Sequence, residues 1–245
     1  MRLLAIDATV EVPPTLIAET LDRDGVVLIR QGSLTKLTEL LDPWVAPADH
    51  PHQVTTGLTI ITPRSSWAGR PNEVGFTQSP LAPHTDRSLD ERPPSLVAGL
   101  MLSPARAGGV TILADGARVL SDMLRSDGIA AVTRLRLRLA DGRPGPPVVA
   151  ERHGLTQVRY RDDQVAGPNV AGEAEGLVSD LRRLIAAVSR SVDLAAGDGY
   201  LAHNHRFLHG RTGFVGDRRF ARLLGNIRTG HPYSFLNQGF RDAEE

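Results

Sequence analysis

His84 and Asp86 form the first pair of residues whose types and spacing could bind a metal ion. They stand in residues 83–88, which read PHTDRS. On an extended chain, residues i and i+2 point to the same side, so this imidazole and this carboxylate could contact one ion. A chain with eight histidines also produces such pairs by chance. On the triplet alone, a turn in which Asp86 caps the next residues is the simpler interpretation.

A second group of candidate ligands is the histidine cluster at residues 202–211, AHNHRFLHGR. The cluster lacks the His–x₃–His helical spacing of many zinc hydrolases. His203 and His205 would share one face of a strand, and we interpret both as structural. His209 remains a candidate because the small Gly210 follows it and would let the backbone approach a bound group.

Two arginines near the end of the chain could bind an anion. Alternation along a strand places Arg218, Phe220 and Arg222 on one face and Arg219 on the other. An inward-facing arginine is costly unless it is paired, and its planar fork matches a carboxylate. The pattern therefore indicates either an anionic ligand or, equally, a solvent-facing basic strand. The nearby GGVT of residues 108–111 is by itself typical of a hairpin turn.

The composition excludes several classes of function. The chain has 245 residues, 41% of them hydrophobic, so it can bury a core. It has no cysteine, which removes disulfides, thiolate metal sites and cysteine nucleophiles. Its 28 basic and 28 acidic residues cancel, so no nucleic-acid footprint is indicated. Lys36 is the only lysine, and a Schiff-base enzyme would have to use it.

The chain also shows no sign of membrane insertion or of subdivision. No apolar run approaches the roughly 20 residues of a membrane span. Residues 1–12 lack the long apolar core of a signal peptide. We therefore expect a cytoplasmic protein without a membrane partner. Because we find neither repeats nor a low-complexity linker, we expect residues 1–245 to form a single domain.

The elements that must position these side chains are mostly strands and turns around one core. Apolar residues at spacings of three and four predict a long helix between Glu173 and Val192. The apolar run at 26–29 predicts a strand buried on both faces, and the GRPGPP of residues 142–147 is expected to be irregular. Shorter helices are predicted at 15–21, 35–41, 116–125 and 127–135, and further strands at 58–61, 96–102, 110–113, 158–161, 200–201 and 218–227.

Taken together, the segments resemble the Fe(II)/2-oxoglutarate-dependent oxygenases of the taurine dioxygenase and clavaminate synthase-like family. The resemblance lies in HTD at 84–86, PPSLVAGLMLSPARAGGVTILADG at 93–116 and NHRFLHGRTGFVGDRRFAR at 204–222. DGVVLIR at 24–30 is similar to an early strand of the family. The implied fold is mainly β with flanking helices (α+β), built on a double-stranded β-helix (jelly roll) core.

The resemblance implies a site as well as a fold. The family's facial triad falls on His84, Asp86 and His209, which would hold Fe(II). Thr111 and Arg218 match the residues that hold the distal carboxylate of 2-oxoglutarate. Arg222 matches a second arginine that meets either substrate or co-substrate. Because Arg218 follows His209 by only nine residues, Arg222 is an alternative main anchor.

The implied activity is that of a dioxygenase, which uses O₂ and 2-oxoglutarate to oxidise an unactivated C–H bond of a small metabolite and releases succinate and CO₂. Hydroxylation is the simplest outcome, with desaturation, cyclisation and oxidative cleavage as alternatives. From another class, a metal-binding jelly-roll sensor or a non-redox hydrolase would also fit. An anionic or an amino-acid-derived substrate is compatible with the pattern. Three residues before the HTD segment are candidates for a substrate lid: Trp67, Phe76 and Gln78. The remaining histidines are interpreted as surface or structural residues: His50, His52, His153 and His231.

Overall fold

The computed structural model describes residues 3–64, 66, 70–170 and 175–241. None of the helices formed by these residues has the length and apolar character that a bilayer-spanning helix requires. The helices are α1 (Pro14–Asp24), α2 (Leu34–Leu41), α3 (Gly116–Asp127), α4 (Ile129–Val132) and α5 (Glu175–Val188), with two 3₁₀ helices at Pro71–Phe76 and Ser234–Asn237. The strands are β1 (Ala5–Asp7), β2 (Val26–Arg30), β3 (Val45–Pro47), β4 (Leu58–Ile61), β5 (Leu81–His84), β6 (Leu96–Ser103), β7 (Ala107–Gly108), β8 (Thr111–Asp115), β9 (Leu135–Leu139), β10 (Pro144–Pro147), β11 (Val149–Arg152), β12 (Leu155–Val158), β13 (Ala166–Val170), β14 (Arg190–Val192), β15 (Gly199–His203), β16 (Phe207–Arg211), β17 (Phe214–Val215) and β18 (Arg219–Ile227).

Two sheets form the core, as expected for a jelly roll with flanking helices. The larger sheet has seven strands in the order β1-β2-β15-β6-β18-β3, with β4 also paired to β18. The smaller sheet has four strands in the order β14-β8-β16-β5. Apolar side chains from both sheets, among them Val97, Phe207 and Leu224, pack in one buried cluster. The sheets therefore lie face to face, as in a β-sandwich.

Strand β2 shows how the sequence builds this layering. Its Val27 and Ile29 pack on the helix side of the large sheet, in the cluster that includes Leu21 of α1. Its Val26 and Leu28 point the other way, into the cluster between the sheets. Alternate residues of a strand face opposite sides, so an unbroken apolar run serves both layers. The prediction of a strand buried on both faces is confirmed.

The long predicted helix ends earlier than expected. α5 stops at Val188, and Arg190–Val192 instead pairs with Leu113, Ile112 and Thr111 of β8 as strand β14. The apolar Val192, which continues the helical spacing, is used in a sheet, because tertiary pairing overrides local periodicity. The expected start at Glu173 lies outside the described residues.

The segment predicted to be irregular contains a strand. Pro144–Pro147 forms β10, which lies at the edge of a three-stranded sheet in the order β10-β9-β13. Prolines are tolerated on an edge strand because they need not donate a hydrogen bond there. The register shifts between Pro144 and Pro147. The strand expected at 158–161 is likewise displaced, to Leu155–Val158.

Candidate metal centre

Strand pairing in the smaller sheet brings the two histidines of the candidate ligand set together. His84 ends β5, and it lies directly opposite His209 of β16. The centroids of the two imidazole rings are 4.6 Å apart. Gly210 permits this approach, because a β-carbon at that position would lie 2.6 Å from the carbonyl oxygen of Leu81. Its small size thus serves the neighbouring strand rather than a bound group.

Asp86 is fixed in the turn after β5 by the buried side chain of Asn204. The Asp86 backbone N–H donates to Asn204 Oδ1 at 2.8 Å, and Asn204 Nδ2 donates to the Asp86 carbonyl at 2.9 Å. Asn204 Nδ2 also donates to the Pro94 carbonyl at 2.8 Å. The Asn204 side chain therefore joins the turn that carries Asp86 to the segment that leads into β6. The position of Asn204 inside the histidine cluster of the sequence did not indicate this role.

The three candidate ligands converge. One ligand atom from each of His84, Asp86 and His209 lies within 4.8 Å of the other two. Asp86 Oδ2 lies 3.3 Å from His209 Nε2. Asp86 Oδ2 and His209 Nδ1 are buried and make no hydrogen bond. Because a buried carboxylate oxygen is costly without a partner, and two imidazoles with one carboxylate suit non-haem Fe(II), these residues fit a bound ferrous ion.

The protonation states also suit metal binding, which requires neutral imidazole and ionised carboxylate. Burial and, to a lesser extent, the neighbouring His209 lower the pKa of His84 to about 4. The His84 Nδ1–H donates to the Ala82 carbonyl at 2.9 Å, a tautomer that leaves Nε2 free to bind. Burial raises the pKa of Asp86, but Arg222 and His209 outweigh burial and hold this pKa well below its usual range.

Arg222 reaches this carboxylate from the opposite sheet. Its Nη1 donates to Asp86 Oδ1 at 2.6 Å, and its Nη2 donates to His50 Nε2 at 2.8 Å. Burial and the charge of Arg222 lower the pKa of His50 to about 4, so His50 is a neutral acceptor. His50, interpreted from the sequence as surface or structural, therefore has a structural role at the site itself.

Arg218 and Thr111 lie in the same cavity but make different contacts. Arg218 is 5% exposed, and its guanidinium lies over the Phe220 ring at 4.7 Å. Its Nε is buried without a hydrogen bond, and it forms no ion pair with a carboxylate of the described residues. Thr111 is buried on β8. Burial of the guanidinium away from water lowers the pKa of Arg218.

These residues line one cavity of about 680 Å³, which is the size of a small-molecule site. All six sequence-predicted site residues face it: His84, Asp86, Thr111, His209, Arg218 and Arg222. Arg218, Phe220 and Arg222 all line the cavity, so of the two alternatives left open by the sequence the solvent-facing strand is wrong. Of the lid candidates, Phe76 lines the cavity, Gln78 does not, and Trp67 lies outside the described residues.

Several cavity residues were not found from the sequence. Tyr200, His52 and Glu73 line the cavity although nothing in their local sequence marks them. His203 and His205, by contrast, are structural as predicted. Both are buried, and their Nε2 atoms bond to the carbonyls of the 3₁₀ helix Ser234–Asn237.

Arg211 secures one wall of the cavity. It stands two residues after His209, and its guanidinium donates to the carbonyls of Val74, Thr77 and Ser79. The guanidinium is also stacked 4.8 Å from the Phe214 ring. Burial lowers the pKa of Arg211 to about 10, because these neutral carbonyls replace water only in part.

Comparison with known proteins identifies a similar sequence family and similar folds. Residues 10–131 match the sequence profile of the taurine catabolism dioxygenase TauD, TfdA family. No curated protein matches the chain significantly. Among solved structures, asparagine oxygenase in complex with Fe(II), 2S,3S-3-hydroxyasparagine and succinate has a TM-score of 0.67 at 18% identity, covering 86% of this chain and 79% of its own.

Two further structures share the fold. PvcB from Pseudomonas aeruginosa has a TM-score of 0.66 at 16% identity, covering 90% of this chain and 84% of its own. The non-haem iron oxygenase OrfP, in complex with Fe, succinate and (3S)-hydroxy-L-Arg, has a TM-score of 0.62 at 16% identity, covering 86% and 80%. The sequence match over residues 10–131 and the converging His–Asp–His set support an Fe(II)- and 2-oxoglutarate-dependent dioxygenase similar to the TauD, TfdA family, and the solved structures share its fold.

Proposed function

We propose that the protein oxidises an unactivated C–H bond of a small metabolite, by hydroxylation, with release of succinate and CO₂. One observation carries the proposal. A His–Asp–His set, in which Asp86 and His209 are buried and one carboxylate oxygen is unsatisfied, opens into the same cavity as an unpaired, buried arginine. A metal centre and an anion site thus share one enclosed space, as a metal-bound keto diacid requires. We treat residues 1–245 as one catalytic domain, since strands from both ends of the chain (β2 and β18) pack in the same sheet.

His84, Asp86 and His209 are the residues that would hold Fe(II). Such a set leaves positions of an octahedral ion open for other ligands. When bound, the iron supplies the redox chemistry, in which decarboxylation of 2-oxoglutarate by O₂ is coupled to oxidation of the substrate. Arg222 holds Asp86 Oδ1 and so leaves Oδ2 available to the metal.

Arg218 is the proposed anchor for the distal carboxylate of 2-oxoglutarate, together with Thr111, which lines the same cavity. A buried guanidinium without an anionic partner carries a desolvation cost of several kcal/mol. A carboxylate would offset that cost through charge-assisted hydrogen bonds. Arg222 is less suited to this role, because Asp86 and His50 already occupy its two terminal nitrogens.

The test is anaerobic reconstitution with Fe(II) and 2-oxoglutarate, followed by exposure to O₂. We expect a weak visible charge-transfer band without O₂, and succinate after O₂ is admitted. His84→Ala should abolish both signals. His153→Ala, at an exposed histidine outside the cavity, is the matched control and should leave both intact. A wild-type protein that stays colourless and forms no succinate contradicts the proposal.

A further inference from the structure

Glu73 places an unsatisfied negative charge in the wall of the cavity. It belongs to the 3₁₀ helix Pro71–Phe76, and its side chain is 16% exposed. His52 Nε2 lies 3.1 Å from Glu73 Oε1. The other oxygen, Oε2, is buried and makes no hydrogen bond. A carboxylate oxygen buried in this way is costly unless a donor approaches it.

The other carboxylates that line the cavity have an arginine partner. Asp86 is paired with Arg222. Asp90 is paired with Arg87 at 2.5 Å and Asp163 with Arg161 at 2.8 Å, and both pairs lie among the cavity-lining residues. Among the described residues of the cavity, Glu73 is therefore the carboxylate that no arginine neutralises.

A chain of contacts connects Glu73 to the metal centre. His52 lies between Glu73 and His50, with the two imidazole centroids 5.6 Å apart. His50 in turn accepts from Arg222, which bonds to Asp86. Glu73 is thus separated from the metal ligand Asp86 by three intervening side chains. A group bound at Glu73 lies along the cavity wall rather than at the metal.

Resting on the proposed function, we propose that Glu73 receives a cationic group of the substrate, an ammonium or a guanidinium. Such a group supplies the donors that Oε2 lacks and neutralises the one cavity carboxylate without an arginine. His52 positions the carboxylate by donating to Oε1, and the edge-on Phe76 ring, 5.2 Å from the His52 ring, fixes His52. The substrate is therefore an amine or a guanidine, held by its charged end while a distant C–H bond faces the metal.

The probes are three pairs of compounds that differ in one charge: L-arginine with L-citrulline, L-ornithine with Nδ-acetyl-L-ornithine, and putrescine with N-acetylputrescine. Their dissociation constants are measured by calorimetry, with the protein loaded anaerobically with Fe(II) and 2-oxoglutarate and also metal-free. We expect the cationic member of at least one pair to bind about tenfold or more tightly than its neutral partner, as a charge-assisted hydrogen bond to a buried carboxylate implies.

Glu73→Gln keeps the oxygen that accepts from His52 and removes only the charge. It should abolish the preference for the cation and leave the dissociation constant of 2-oxoglutarate unchanged. The matched control is Glu91→Gln, an exposed carboxylate that does not line the cavity, and it should retain the preference. The inference is overturned if the wild-type protein binds the two members of every pair with equal affinity, or binds neither member of any pair. It is also overturned if the preference for the cation survives in Glu73→Gln.

The result also separates this inference from the proposed function. A preference for cations in the metal-free protein that is lost in Glu73→Gln supports the subsite even if no succinate is ever formed. Formation of succinate without any such preference supports the oxygenase and overturns the subsite.

Discussion

Arg222 and Asp86 join the two sheets at the metal centre. The arginine belongs to β18 of the larger sheet, and the aspartate follows β5 of the smaller one. Their 2.6 Å contact engages only Oδ1. The second oxygen, Oδ2, faces His209. The ion pair thus orients the carboxylate and keeps it ionised, while one oxygen stays available to a metal.

Replacing Arg222 should weaken metal binding. In Arg222→Met, Asp86 keeps its burial but loses the cation that lowers its pKa and fixes its orientation. We expect the affinity for Fe(II) to fall by roughly 10- to 100-fold, as for other residues that orient a metal ligand. Anaerobic titration with Fe(II) measures the change. Arg219→Met, at an exposed neighbour on the other face of β18, should bind Fe(II) like the wild type.

Replacing Arg218 should weaken binding of 2-oxoglutarate and leave metal affinity intact. In Arg218→Met the cavity loses a buried guanidinium that forms no ion pair with the described residues, whereas Arg211, which also lacks a carboxylate partner, is hydrogen-bonded to backbone carbonyls. We expect the dissociation constant for 2-oxoglutarate to rise by about tenfold or more. The charge-transfer band gives this constant when 2-oxoglutarate is titrated anaerobically. A larger rise in Arg222→Met than in Arg218→Met would show that Arg222 is the main anchor.

Replacing Asn204 should destabilise the fold as well as the site. Asn204→Ala leaves the buried N–H of Asp86 and the carbonyls of Asp86 and Pro94 without their partner. We expect the free energy of unfolding to fall by about 3 kcal/mol, since each buried group left unsatisfied costs about 1–3 kcal/mol. Urea denaturation of the metal-free protein measures it. The exposed Gln238→Ala should change stability by less than about 0.5 kcal/mol.

Acid should destabilise the protein through its buried histidines. Burial lowers the pKa of His203 to about 4 and of His205 to about 3, against about 6.5 in an unfolded chain. As the pH falls from 6.5 through 4, the unfolded chain binds protons that the folded protein does not bind. The free energy of unfolding therefore decreases over this window, and these two groups contribute no pH dependence above about pH 7.

Thermal unfolding of the metal-free protein at pH 7.5, 6 and 5 checks this expectation. His205→Gln removes one of these groups and should lessen the decrease, while His50, His84 and His203, whose pKa values are lowered in the same direction, maintain the rest. The exposed His153→Gln is the control and should leave the pH dependence as in the wild type. An identical pH dependence in His205→Gln and wild type would contradict the assignment.

Local sequence patterns predicted the elements whose structure depends on residues close together in the sequence. Alternation placed Arg218, Phe220 and Arg222 on one face, and the apolar run of β2 gave a strand with two buried faces. The segment Arg190–Val192 could not be placed in this way. Its partner is Thr111–Leu113, about 80 residues earlier in the chain, and nothing local records that pairing.

The residues of the candidate site also fall into those that the sequence predicted and those that it did not. The three candidate metal ligands could be named from the sequence because the family resemblance supplied the long-range relation between residues 84–86 and 209. Glu73 and His52 carry no such motif. They lie 21 residues apart in the sequence and become neighbours only in the folded protein, where His52 Nε2 lies 3.1 Å from Glu73 Oε1. Tyr200 is similar, since its strand β15 reads simply as apolar core.

The contacts of Arg211 limit the ways in which a ligand can enter the cavity. Its guanidinium donates to carbonyls within residues 74–79, which overlap the end of the 3₁₀ helix that carries Glu73. Moving this segment away would leave the buried Arg211 cation with only the Thr212 carbonyl and the Phe214 ring as partners among the described residues. Because the free-energy cost of leaving this cation without these partners is high, we expect residues 74–79 to stay in place. Ligands would then enter and leave through an opening of the cavity that does not require these residues to move.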